Sequence, residues 1–130
     1  IDTRENTKMA RKVLIVDDNA TIRSLSRKVL EGIGFEVKEA EDGQAGVEAA
    51  QADAFQLVLA DINMPRMNGI DMIAEIRKLD GYARVPILII STENNAEIMK
   101  RGKAVGANGW LVKPFQREKL LGILQKLVKA

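Results

Sequence analysis

The sequence contains neither cysteine nor histidine. Without cysteine there are no disulfides, no thiol nucleophile and no thiolate metal site; the composition is compatible with a reducing compartment and does not prove one. Without histidine, Ser/His and Cys/His dyads and the usual zinc sites are excluded as well. No apolar run is long enough to cross a bilayer, and the first residues, Ile1 to Lys8, lack the apolar stretch of a signal peptide. Repeats, low-complexity tracts and proline-rich linkers are also missing. Whatever chemistry the chain carries must run on carboxylates, hydroxyls and amines, with or without a hard cation.

What is present suits one domain. A chain of 130 residues, 46% of them hydrophobic, can bury a genuine core and leaves little room for a second unit. Residues 1–10 read as a flexible leader or an expression remnant, with Met9 a plausible native start, and residues 11–130 as the domain. A formal net charge of +2 is too small to argue for nucleic-acid binding. Its distribution says more: acids dominate from Glu36 to Asp61 against Lys38 alone. Bases dominate from Ala96 onward, where Lys100, Arg101, Lys103, Lys113, Arg117, Lys119, Lys126 and Lys129 outnumber Glu97 and Glu118.

Hydrophobic periodicity predicts regular alternation. Val13 to Val16 reads as a strand, followed by a helix with Ile22, Leu25, Val29 and Ile33 on its inner face and Gly34 past its end. Phe35 to Ala40 is the next strand and Gly43 to Ala52 an alanine-rich, weakly amphipathic helix. Leu57 to Ala60 stops at Asp61, a turn spans Met64 to Gly69, and Met72, Ile73, Ile76 and Leu79 stripe the following helix. Ile87 to Ile90 is the most continuous apolar run and predicts a central strand buried on both faces. Asn94 or Asn95 caps a helix carrying Ile98, Gly102 and Val105; Gly109 to Val112 is a fifth strand, and Leu120, Leu124 and Leu127 stripe the last helix. Strict strand–helix alternation implies an α/β fold, doubly wound, with a five-stranded parallel sheet between five helices.

In such sheets the functional rim lies beyond the carboxyl ends of the strands. Strand one ends in Asp17-Asp18, strand three in Asp61, strand four in Ser91-Thr92, and strand five in Lys113-Pro114. Three carboxylates, a hydroxyl and an amine therefore meet on one rim although they are dispersed along the chain. Gathered carboxylates must shift a pKa or recruit a cation, and with oxygen donors alone Mg²⁺ is the natural choice. Asp61 could then attack phosphorus, with Lys113 neutralising the phosphoryl group and the Ser91 hydroxyl bonding one of its oxygens.

Asp17-Asp18, Asp61-Ile-Asn-Met-Pro65, Gly69, Ser91 and Lys113-Pro114-Phe115 together resemble the signature of response-regulator receiver domains, from Arg11 to about the C-terminus. Within that family the Asp-Ile-Asn-Met-Pro and Lys-Pro-Phe segments are most similar to the stand-alone chemotaxis receivers. The resemblance implies a flavodoxin-like strand order, 2-1-3-4-5. It implies a two-component signalling switch in place of a classical enzyme, in which Asp61 takes a phosphoryl group from a histidine kinase and later loses it by self-catalysed hydrolysis. One Mg²⁺ would be held by Asp18 and Asp61 directly, by Asp17 largely through water, and by the Asn63 backbone carbonyl. Lys113 would pair with the acids before phosphorylation and with the phosphoryl group after it, and Lys113–Pro114 would be cis.

By the same resemblance Ser91 is the switch hydroxyl and Trp110 stands where the family has a rotating Tyr or Phe. Asn63, Thr92 and Glu93 occupy rate-modulating positions; Thr92 replaces a common alanine, and its β-branch is expected to slow phosphotransfer or hydrolysis. Output would pass through the fourth helix, fifth strand and fifth helix, flanked by Lys100, Lys103, Lys113 and Lys119, to an acidic protein partner such as the flagellar motor switch. A cytoplasmic monomer without direct nucleic-acid or membrane binding is expected.

Each residue alone has a plainer reading. Asp17 and Asp18 can end a strand and cap a helix, Asp61 can sit in a turn, and Lys113 can be a solvated lysine. Ser91 can open a helix, Glu93 can favour its dipole, and Trp110 can be a half-buried anchor. Met64, Met67 and Met72 read as turn and core residues. The plain readings fail jointly, because each needs its own reason to fall on one rim. Three other functions compete. An excised receiver of a multidomain regulator would look the same. A Mg²⁺-dependent aspartyl-phosphate phosphohydrolase usually has a second acid where this chain has Asn63, and a substrate cap. An FMN carrier of this topology would need a hydroxyl- and glycine-rich phosphate loop where Asp17-Asp18 stands.

Overall fold

The computed structural model describes residues 11–128; the leader expected over residues 1–10 lies outside them. Five strands and five helices alternate: β1 (Lys12–Val16), α1 (Ala20–Gly32), β2 (Glu36–Ala40), α2 (Gly43–Ala52), β3 (Leu57–Ala60), α3 (Gly69–Arg77), β4 (Ile87–Ser91), α4 (Ala96–Ala104), β5 (Gly109–Val112) and α5 (Arg117–Leu127). All strand pairs are parallel and their order is β2-β1-β3-β4-β5. The predicted fold class and strand order are the observed ones. Among the described residues no helix is long and apolar enough to cross a membrane.

The sheet divides the core by the two-residue period of its strands. Leu14, Val16, Val58, Ala60, Ile87 and Ile89 face one side and pack against Val47, Ala50, Met72, Ile73 and Ile76. Val13, Ile15, Leu57, Leu59, Leu88, Ile90 and Leu111 face the other, against Val29, Leu30, Leu120 and Leu124. β4 is buried along its whole length, which is what a parallel strand covered on both faces requires. Side-chain caps start four of the helices: Asn19, Asp42, Asn68 and Asn95 each accept a backbone N–H from the first turn. Asn95, of the two candidates, caps α4, and Gly34 follows α1 with a φ of 99°.

One predicted face differs. α1 buries Ser26, Val29 and Leu30, while Leu25 and Ile33 are 41% and 43% exposed. The packed stripe is rotated from the one the apolar residues suggest, because Leu30 and the short Ser26 let the helix lie close against the sheet.

At the amino end of the sheet, Arg77 of α3 bridges two loops. Its guanidinium donates to the carbonyls of Tyr82 and Val85 before β4 and to Gly106 O and Asn108 Oδ1 before β5, at 2.6 to 3.0 Å. Burial holds its pKa below the usual arginine value.

Candidate functional site

The site lies at the carboxyl ends of β1, β3, β4 and β5. Asp61 directly follows β3, and its amide donates to Val16 O of β1 at 3.0 Å, which keeps the two strand ends level. The Asp61 carboxylate is almost wholly buried. Its Oδ1 accepts the Ile62 amide at 2.7 Å and its Oδ2 faces the Lys113 ammonium at 3.1 Å. Asp17, 3% exposed, accepts the Asn19 amide on Oδ1 at 2.9 Å and pairs through Oδ2 with Lys113 at 2.9 Å. One ammonium thus spans two carboxylates contributed from different strands.

Asp18 is exposed at the mouth. Asp17, Asp18 and Asp61 each present a carboxylate oxygen, and these oxygens lie within 4.8 Å of one another. Burial pushes the Asp17 carboxyl above its usual pKa, against the pull of the Lys113 hydrogen bond. Burial would lower Lys113, but its bonds to Asp17 and Asp61 prevail and raise it. The site therefore holds concentrated negative charge that a single lysine offsets only in part.

The other wall is the β4–α4 loop. Ser91 is fully buried, and its Oγ accepts the Glu93 amide at 3.1 Å, leaving the hydroxyl proton free to donate elsewhere. Thr92 is exposed. Glu93 links two neighbours, its carboxylate accepting from Asn63 Nδ2 and its carbonyl from Trp110 Nε1, each at 2.9 Å. Trp110 is half-buried, lies against Gly102, and stands opposite Ile89 in the β4–β5 register. The Lys113–Pro114 peptide bond is cis, and the Lys113 amide ties β5 to Ser91 O at 2.9 Å.

The structure brings Asp17, Asp18, Asp61 and Lys113 together, with Ser91, Asn63 and Glu93 beside them. Lys113 is drawn inward onto the acids, so it does not belong to the basic partner surface expected of it. Lys100 and Lys103 remain on that surface and line a groove of about 620 Å³ with Met99 and Trp110, and Lys119 borders the adjoining hollow. Met64 and Met67 pack at the edge of the core and Met72 inside it.

Gly69 has a local reason for its place. A side chain there would collide with the Asp61 carbonyl, and its amide donates to Ile62 O at 2.9 Å. The loop after Asp61 is held from the other side by Arg66, which has a φ of 66° and makes a two-pronged bond to Asp42 at 2.9 and 3.1 Å. Sequence reasoning missed Arg66 and also Arg23, whose guanidinium reaches the Asp17 carbonyl. An arginine just inside the helix that follows Asp17-Asp18 was the available signal for the second.

A parallel sheet bearing this cluster at its carboxyl edge defines a receiver domain, and residues 13–125 match the response regulator receiver domain family. The chain belongs to that family. It is 36% identical to chemotaxis protein CheY-3 of Vibrio cholerae over 121 residues, covering 89% of this chain and 93% of the relative. Among solved structures it is similar to the chemotaxis response regulator CheY4 of Vibrio cholerae, with 42% identity and a TM-score of 0.86, covering 91% of this chain and 98% of that one. It is also similar to the receiver domain of sensor histidine kinase PA1611 of Pseudomonas aeruginosa, with 28% identity, a TM-score of 0.84, and coverage of 92% and 98%. That structure has a magnesium ion coordinated in the active site cleft.

Proposed function

We propose that residues 11–130 act as a phosphorylation switch in chemotaxis-type signalling, with Asp61 accepting a phosphoryl group from a phosphohistidine of a partner kinase. The observation that carries this reading is the meeting of Asp17, Asp18 and Asp61 within 4.8 Å beside a lysine that spans two of them. An Asp61 carboxylate oxygen attacks phosphorus, the P–N bond to the donor imidazole breaks, and an aspartyl phosphate results. Water attacking phosphorus later releases phosphate and restores the carboxylate.

The donor set fits Mg²⁺. All three acids offer the hard oxygen donors that Mg²⁺ prefers, and their carboxylate oxygens lie within 4.8 Å of one another. Asp18 and Asp61 would hold one ion directly, Asp17 through water and Asn63 through its backbone carbonyl. When bound, the ion supplies positive charge for the gathered oxygens. Lys113 shifts its bonds from Asp61 Oδ2 to the phosphoryl group, and the Ser91 hydroxyl donates to a phosphoryl oxygen. Asn63, Thr92 and Glu93 border the approach of water and donor, and so set the rates.

As Ser91 moves, the bond between Trp110 and Glu93 carries the change to the face of α4, β5 and α5. The Lys100 and Lys103 groove there suits an acidic segment of a protein target, such as the flagellar motor switch. The kinase and target act on this domain as a monomer in the cytoplasm.

Trp110 is the sole tryptophan, which gives a clean readout. Mg²⁺ with beryllofluoride or acetyl phosphate is expected to change its fluorescence in the wild type and to leave Asp61→Asn unaffected. No response in the wild type, or an equal one in Asp61→Asn, refutes the switch.

A further inference from the structure

We infer that Arg23 is a positioning residue for Asp18, acting through the peptide group that joins Asp17 to Asp18; for the cation, this rests on the function proposed above. The three acids are not held in the same way. Asp17 is fixed by the Asn19 amide and Lys113, and Asp61 by the Ile62 amide and Lys113. Among the described residues no hydrogen bond or ion pair reaches the carboxylate of Asp18. What is held of Asp18 is therefore its backbone, and the carbonyl of the preceding peptide is where Arg23 Nη1 donates, at 2.5 Å.

Arg23 is itself firmly placed. Its Nε donates to Glu39 Oε1 of β2 at 2.9 Å, and its side chain is 17% exposed. Glu39 is held in turn by Arg27 Nη1 at 2.6 Å, and Arg27 by Glu31 at 2.8 Å. The Asp17 amide donates to Ala40 O at 3.1 Å, so the Asp17 residue is tied to β2 by its N–H directly and by its C=O through Arg23. The planar guanidinium meets both acceptors with N–H groups fixed relative to one another, Nε to Glu39 and Nη1 to the Asp17 carbonyl; an ammonium on a flexible stem could reach them but would hold them less rigidly. The helix dipole does not explain the residue, because a cation near the start of α1 faces the positive end of the macrodipole.

Charge alone and positioning predict opposite outcomes. Removing Arg23 deletes a cation near three carboxylates and leaves Glu39 less compensated, which by Coulomb attraction tightens or preserves Mg²⁺ binding. Loss of positioning weakens it. The test is a Mg²⁺ titration followed by ¹H–¹⁵N NMR, with the amide order parameter of Asp18 measured first without the cation. In Arg23→Gln the order parameter is expected to fall from the rigid-backbone value of about 0.85 toward 0.6, and Mg²⁺ affinity to drop by about 10-fold, equivalent to about 1.4 kcal/mol. Arg23→Lys should recover part of both, and the amides of β1 and β3 should keep their order. An unchanged Asp18 amide, or Mg²⁺ binding as tight as wild type, overturns the assignment. If the wild type itself does not bind Mg²⁺, the proposed function fails there, and the cation-free order parameter still decides whether Arg23 holds the peptide.

Discussion

Ser26 is a polar group in the wrong place for stability. It is 1% exposed, and its Oγ has no hydrogen-bond partner among the described residues. A buried hydroxyl without a partner costs about 1–3 kcal/mol of desolvation, and alanine is the better helix former. Ser26→Ala is expected to raise the thermal midpoint by about 3–5 °C, on the order of 1 kcal/mol for a domain of this size; a lowered midpoint in a calorimetric scan would show that the oxygen has a partner in solution. No reading of α1 in isolation singles this residue out. Its apolar stripe led to Leu25 and Ile33, which are exposed, and a serine gives no hydrophobic signal. Asp17, Asp61, Ser91 and Lys113 were legible for the opposite reason. Each ends a strand, and strand ends in a parallel sheet converge whatever the intervening loops do.

α4 is the helix with the least of itself inside: it buries Gly102 and no other residue outright. A β-carbon at position 102 would lie 2.7 Å from the Trp110 ring and 2.9 Å from Ile89. Glycine costs a helix interior about 1 kcal/mol relative to alanine, so Gly102→Ala would stabilise an isolated helix. Here it must displace the indole or lift α4. The expected result is a net loss of about 1–3 kcal/mol from overpacking, with a shifted Trp110 emission as the bond to Glu93 weakens. Higher stability with unchanged emission would mean that the helix rides outward without cost. The boundaries of α2, β3 and β5 could be read from the sequence because apolar period and turn residues agree there. The roles of Arg23, Arg66 and Arg77 could not. Their acceptors lie on other elements, up to 31 residues away, and an arginine on a helix or turn looks the same with such acceptors or without them.

Across the domain the charges are sorted, with acids gathered toward β2 and α2 and bases toward α4 and α5. Several acids on the first side are individually matched. The Arg66 hydrogen bonds hold Asp42 below its usual pKa, those of Arg27 and then Arg23 lower Glu39 against burial, and Lys12 lowers Asp53. A carboxyl depressed in the folded state binds fewer protons there than in the unfolded chain, so it adds stability above its unfolded pKa and loses it as pH falls through the folded value. Stability should therefore decline from about pH 4.5 downward. In Asp42→Asn that acid limb should be shallower, as followed by urea midpoints at successive pH values. An unaltered slope would mean that Asp42 pairs equally well in the unfolded chain.

The Arg77 bridge gives the sheet a fixed end. Gly106 and Asn108 stand just past the carboxyl terminus of α4, and Arg77 fastens both to α3 and to the loop ahead of β4. The opposite terminus of α4 hangs from the loop that carries Ser91 and Glu93. A rod clamped at its foot is freest to move at its head. If the proposed switch operates, α4 is accordingly expected to act as a lever anchored near Arg77, with its largest displacement at the end beside Ser91 and Glu93.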